Sequence, residues 1–153
     1  MVIMKEIRLS KNKFALVDDE DFEWLNKYKW YFNGHYAVRH ILTNKVEFMH
    51  RIILNTPKNK FTDHINKNKL DNRRINLRIA SKSQNRVNSF SQMSKSGFRG
   101  VRPTSKKNGW FARIGVDGKR IYLGFFKNKI EAARAYNKAA NEYFGDFANL
   151  NNV

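Results

Sequence analysis

An aspartate followed directly by a histidine, Asp63-His64, sets side by side the two groups that metal-assisted hydrolysis needs. A carboxylate is a ligand for a hard divalent cation. A neutral imidazole near pH 7 takes a proton from water. A divalent ion neutralises charge on a phosphate and on its leaving oxygen. Alone the pair is weak, because an Asp-His in a loop is ordinarily solvated or structural. Its surroundings sharpen it: an Asn-rich stretch, a run of cations and a short polar helix follow. Arg73, Arg74, Arg78, Lys82 and Arg86 are candidates to grip phosphates, with Lys82 and Arg86 one helical turn apart. A solvated basic face is the plainer alternative. His50, which precedes an Arg-Ile-Ile-Leu run, could approach the site, though a satisfied structural histidine is the expectation; His35 and His40 carry no assignment.

These groups sit in the basic part of the chain. The 153 residues carry a formal net charge of +17, which calls for a polyanionic partner. Residues 1–50 hold 8 basic and 7 acidic side chains, residues 51–95 hold 11 and 2, and residues 96–153 hold 11 and 4. The last two thirds are therefore expected to meet the polyanion. Nucleic acid is favoured over a membrane surface. No apolar run approaches the roughly 18 residues of a spanning helix, and no stretch has the order of a secretory signal. The cations lie among aromatics and asparagines rather than along one amphipathic helix. There are no cysteines, which excludes disulfides and thiolate zinc sites. The aromatic content is too high for a disordered tail, so the chain folds, with small cores.

The elements that must position these residues read as an α+β chain. Residues 1–49 form a buttress region. Lys5–Leu9 and Lys13–Val17 alternate as strands around a turn at Asn12, and Asp18, Asp19, Glu20 and Asp21 open a helix with Phe22, Leu25 and Tyr28 on its apolar stripe. Trp30–Phe32, Tyr36–Leu42 and Lys45–Met49 read as strands, with Trp24, Trp30, Tyr31 and Phe32 as core. His50–Leu54 either starts a helix or continues the strand. Phe61–Ala80 is rich in turn formers, and Ser81–Val87 reads as a helix capped by Ser81 or Ser83. Ser-rich residues 88–97 read as a linker.

Residues 98–153 give the plainest pattern. Trp110, Ala112, Ile114 and Val116 alternate with Phe111, Arg113 and Gly115; after the Asp117-Gly118 turn, Ile121, Leu123 and Phe125 alternate with Arg120, Tyr122 and Gly124. Phe98–Arg102 supplies a third strand. Asn128 caps a helix whose apolar stripe is Ala132, Ala133, Tyr136, Ala139, Ala140 and Tyr143, ended by Gly145. The stripe covers the apolar sheet face. The other face, with Arg113, Arg120 and Tyr122, is left bare and without matching acids, a shape that a DNA major groove admits.

The motifs FRGVR (98–102), WFARI (110–114), RIYLGFF (120–126), EAARAYNKAA (131–140) and ANLN (148–151) resemble the AP2 domain. The resemblance implies a three-stranded sheet laid in the major groove and backed by one helix, with DNA contacts at Arg99, Gly100, Arg102, Arg113, Arg120 and Tyr122. Arg113 stands where plant members usually have Glu, so base preference does not transfer.

MHRIIL (49–54) and TDHINKNKLDNRRINLRIASKSQN (62–85) resemble the HNH motif of phage homing endonucleases. That resemblance implies a ββα-metal fold over residues 50–87 that holds one divalent ion. It makes Asp63 a metal ligand, His64 the general base, Asn76 the residue that braces the loop and orients the base, and Asn85 the second metal ligand. Many members have His at that last position; Asn occurs in a phage subgroup. Two oxygen ligands suit Mg²⁺ or Mn²⁺ over Zn²⁺.

The combined expectation is a homing-type endonuclease that nicks double-stranded DNA as a monomer, without a small-molecule cofactor or a membrane. By resemblance it is phage-encoded and works on DNA in the bacterial cytoplasm. A catalytically decayed, sequence-specific DNA-binding regulator is the alternative favoured by Asn85. An RNA- or ribosome-binding basic protein explains the charge but not two motif sets in series.

Overall fold

Alternation near the N-terminus becomes a hairpin. In the computed structural model, which describes residues 4–42, 44–88, 95–104 and 108–153, Met4–Arg8 (β1) pairs antiparallel with Phe14–Asp18 (β2). Lys11 and Asn12 both take positive φ, 59° and 51°, at the turn, a conformation that Asn accepts more readily than most residues. Asp19–Leu25 (α1) follows with three acids in its first turn. It ends one turn earlier than the stripe predicts, and Tyr28 lies exposed beyond it. The Trp30 indole N–H donates to the Leu25 carbonyl at 2.9 Å and so satisfies one of the orphan acceptors at the helix end.

Tyr31–Phe32 (β3), Ala37–Leu42 (β4) and Lys45–Phe48 (β5) form a sheet in that order. Met49–Ile53 (α2) is helical, which settles the helix-or-strand alternative. The segment read as turn formers contains two strands, Phe61–His64 (β6) and Leu77–Ala80 (β7), paired antiparallel. Their signal is hidden because β6 buries the polar Thr62, Asp63 and His64. Lys82–Asn88 (α3) follows, so Ser81 precedes the helix and Ser83 lies within it. The order β6, β7, α3 is the ββα order.

One core joins the expected buttress to the nuclease motif. Ile7, Val17 and Leu25 pack with Trp30, Met49, Ile53 and Leu77, and Trp24 and Phe32 lie at the margin. Tyr31 is half-buried and meets His40 edge-on instead. The chain divides into two compact units, Met1–Lys82 and Ser83–Val153. Of the expected linker, Asn88 is buried and closes α3, and Ser96 is buried with its hydroxyl on the Val101 carbonyl at 2.9 Å; residues 89–94 lie outside the described residues.

In the second unit, Val101–Pro103 (β8), Trp110–Val116 (β9) and Lys119–Phe126 (β10) form an antiparallel sheet with β9 central. Strand β8 is shorter than expected, because Phe98–Gly100 turn before it. The Asp117-Gly118 hairpin forms, both residues at positive φ. Lys129–Phe144 (α4) is capped by the Asn128 side chain, which accepts from the Ile130 N–H at 2.8 Å, and stops at Gly145. The stripe closes on Phe144, and Tyr143 is exposed. Phe144 continues the series Ala132, Tyr136, Ala140 at intervals of four, which share one face.

A bulge corrects the face of Phe125. The register moves from Tyr122 opposite Arg113 to Gly124 opposite Ala112, so Leu123 is the extra residue. Beyond it, Phe126 turns to the core and Phe125 turns out. Among the described residues, no helix is long and apolar enough to cross a membrane.

Candidate active site and nucleic-acid interface

Strand β6 carries Asp63 and His64, and pairing sets Asp63 opposite Arg78 and His64 opposite Leu77 on β7. Successive strand residues face opposite ways, yet both residues are only 5% exposed, because the strand is covered on both sides here. Arg78 donates to one Asp63 oxygen from Nε at 2.9 Å and from a terminal nitrogen at 2.8 Å. The pair sets a cation directly against the buried carboxylate.

His64 sits in an aromatic nest with the rings of His50 and Tyr36, whose centroids are 5.1 and 6.1 Å away. Burial holds its imidazole below the ordinary histidine range; the hydrogen bond to Asn72 and the charges of Asp63 and Asp71 work against that, and Lys69 works with it. The ring is therefore neutral at pH 7, the form a general base requires. Its Nε2 lies 3.1 Å from the Asn72 Oδ1.

The loop between the strands is built from polar side chains. Asn76 accepts from the Asn66 N–H at 2.9 Å and donates to the Asp71 carbonyl at 2.7 Å. These two bonds tie the loop to itself, and the partner on the His64 ring is Asn72. Asp71 takes two hydrogen bonds from the Arg73 guanidinium at 2.7 Å each, and this pairing holds its carboxyl below the usual range. Arg74 reaches back to Asp21 at 2.8 Å and Glu20 at 2.9 Å, and its backbone N–H donates to Asp18 at 2.7 Å. The acids that open α1 thus also anchor the loop.

Of the five cations expected at phosphates, Arg73, Arg74 and Arg78 are matched by carboxylates inside the first unit. Lys82 and Arg86 lie exposed on α3. Asn85 is also on α3, whose residues from Ser83 onward belong to the second unit. The first unit by itself brings together Asp63, His64 and the loop braced by Asn76. Among the described residues, no three of His, Cys, Asp and Glu converge as a metal cage. The expected donor set has one carboxylate and one amide, both hard oxygen donors, and it fits Mg²⁺ or Mn²⁺ by its chemistry.

His50, expected to be satisfied, is not. It is 6% exposed, and among the described residues its Nδ1 has no hydrogen-bond partner. Burial first, then the neighbouring His64 and Arg51 charges, lower it to about 3. Sequence reasoning also missed Asn72, which nothing in the local pattern separates from Asn66 and Asn68.

The second unit presents the expected sheet face. Arg102 on β8, Arg113 on β9 and Arg120 on β10 line a groove of about 300 Å³ with Gly100 and Tyr136. Burial, then the charges of Arg102 and Arg120, lower Arg113 from its ordinary range. No ion pair among the described residues reaches these three. Tyr122, opposite Arg113 and 65% exposed, continues the face toward Phe111. Gly100 is required: at φ 70°, a Cβ there would run into the Tyr136 ring. The Arg99 backbone is clamped by Asn151, which accepts from its N–H at 2.7 Å and is itself bonded to Asn137 in both directions.

The HNH endonuclease family model matches residues 55–87, the stretch that holds Asp63, His64, Asn76 and Asn85. An uncharacterized HNH endonuclease of Acanthamoeba polyphaga mimivirus is 34% identical over 150 residues, which cover 94% of this chain and 77% of the relative. That likeness runs well past the motif into the second unit.

Proposed function

Because this chain belongs to the HNH endonuclease family, we propose that it is a homing-type DNA endonuclease that hydrolyses one phosphodiester per encounter. The observation that carries the reading is a buried imidazole directly beside a buried carboxylate on β6, inside the stretch that the family model matches. His64 removes the proton from the attacking water. Asp63 and Asn85 would hold one divalent ion, Mg²⁺ or Mn²⁺, which when bound neutralises charge at the scissile phosphate. Lys82 and Arg86 grip flanking phosphates. The sheet of the second unit docks in the major groove in the AP2 manner, through Arg99, Gly100, Arg102, Arg113, Arg120 and Tyr122. Two tethered modules raise each other's effective concentration on DNA, so weak nuclease contacts suffice. A single site cuts one strand, so the monomer's product is a nick.

The test is conversion of supercoiled plasmid to the open circle with Mg²⁺ and with chelator. His64→Ala is expected to lower the Mg²⁺-dependent rate by about 100-fold or more. Undiminished nicking by the variant would reject His64 as the base. The ion pair of Asp63 with Arg78 favours a second reading, a decayed nuclease that retains duplex binding. Tight duplex binding without cleavage in either metal would select it.

A further inference from the structure

We propose that Asn72 is a positioning residue for His64: it accepts the Nε2 proton and so commits the ring to offering Nδ1 as the basic nitrogen. The inference starts from which way the Asn72 amide points. Its two ends differ chemically, one accepting and the other donating. The Nδ2 end lies 3.4 Å from the Met49 Sδ, and a thioether sulfur can only accept. The amino group therefore faces Met49 and the carbonyl oxygen faces the imidazole, 3.1 Å from Nε2. An oxygen acceptor is satisfied only by a donor, so Nε2 carries the hydrogen. In a neutral imidazole the other nitrogen then holds the lone pair. Sulfur on one side thus decides the tautomer on the other.

Asn72 is suited to this because it cannot turn away. It is 0% exposed, so an unbonded amide would pay the full desolvation cost. Its backbone N–H donates to the Leu16 carbonyl on β2 at 2.8 Å, and the Leu16 N–H donates to the Leu70 carbonyl at 2.8 Å. The stretch 70–72 therefore runs along β2 as a short parallel bridge. Met49, at the start of α2, is fully buried. The orienting amide is held by β2 on one side and α2 on another, both outside the loop that carries it. Asn76 fixes the path of that loop, and Asn72 fixes the ring.

The kinetic half of this inference rests on the nuclease reading; the tautomer half does not. The experiment is nitrogen NMR of the full chain labelled at histidine, near pH 7, with the His64 signals assigned by their loss in His64→Gln. The wild-type ring is expected to show a protonated Nε2 and an unprotonated Nδ1. Asn72→Leu removes the acceptor at similar volume and is expected to mix the tautomers. Asn72→Asp keeps an acceptor and is expected to retain the wild-type form. In the plasmid assay, Asn72→Leu is expected to lower kcat by about 100-fold, as loss of a correctly held base does, with KM within about twofold. A wild-type ring protonated at Nδ1 would overturn the proposal even where Asn72→Leu does not fold. So would a folded Asn72→Leu with full kcat, or one whose defect lies in KM alone. If the wild type fails to nick at all while its ring shows protonated Nε2, the nuclease reading falls and the positioning of the ring stands.

Discussion

Lowering the pH from 7 to 5 is expected to weaken the first unit through His50. In the folded chain this imidazole is buried among Tyr36, Phe48 and His64 and is held to about 3. In the unfolded chain it titrates near 6.5. Between those values the unfolded chain binds a proton that the folded chain refuses. Stability is therefore complete above about 6.5 and falls progressively as the pH drops toward 3. At pH 5 the difference amounts to about 1.5 pH units of proton binding, or about 2 kcal/mol. The assay is urea unfolding at both pH values, followed through the indole resonance of Trp30, which is buried in the same core. His50→Phe keeps a ring against Tyr36 and Phe48 and removes the titration. At pH 7 it is expected to be neutral or stabilising, since it deletes an orphaned buried nitrogen. Between pH 7 and 5 it is expected to lose about 2 kcal/mol less than the wild type. His64 lies against His50 and is coupled to it, so the comparison is repeated in a His64→Gln background. Equal pH dependence of the two would refute the assignment of the acid sensitivity to His50.

Other outcomes follow from single contacts. Arg74→Met leaves the Asp21 carboxylate, 1% exposed, without its cation; after discounting for the exposure of Arg74, the expected loss is about 2 kcal/mol in urea unfolding of the first unit. Gly100→Ala forces a Cβ into the Tyr136 ring at a positive φ, and a loss of about 2 kcal/mol or more is expected in thermal unfolding of the second unit. Arg113→Gln removes one cation from the groove shared with Arg102 and Arg120. It is expected to reduce the slope of log affinity for duplex DNA against log salt by about 1; an unchanged slope would remove Arg113 from the phosphate contacts.

Strands with one wet face were legible in the sequence. Ile7 lies between Glu6 and Arg8 in β1, and in β2 the buried Ala15 and Val17 alternate with the more exposed Phe14 and Leu16. The same held for β9 and α4, whose caps at Asn128 and Gly145 stand where their chemistry requires. Strand β6 was illegible because it buries polar groups, and hydrophobic period says nothing about Thr62, Asp63 or His64. The face of Phe125 depends on a bulge at Leu123, and no residue type there announces it. Motif spacing pointed to Asp63, His64 and Asn76. It could not reveal Asn72, whose role depends on Met49 and β2, both distant in sequence. Nor could charge counting show that Arg73, Arg74 and Arg78 answer to Asp71, Asp21 and Asp63 rather than to solvent.

The bridge between Leu16 and residues 70–72 has a consequence for how the nuclease segment can be inherited. The part recognisable as a motif is shorter than the part able to fold. Cut out as a peptide, residues 55–87 would keep every side chain that touches chemistry and lose the rail along which the loop lies. A transplanted copy must carry its N-terminal hairpin with it. During synthesis that hairpin emerges before the loop that docks on it.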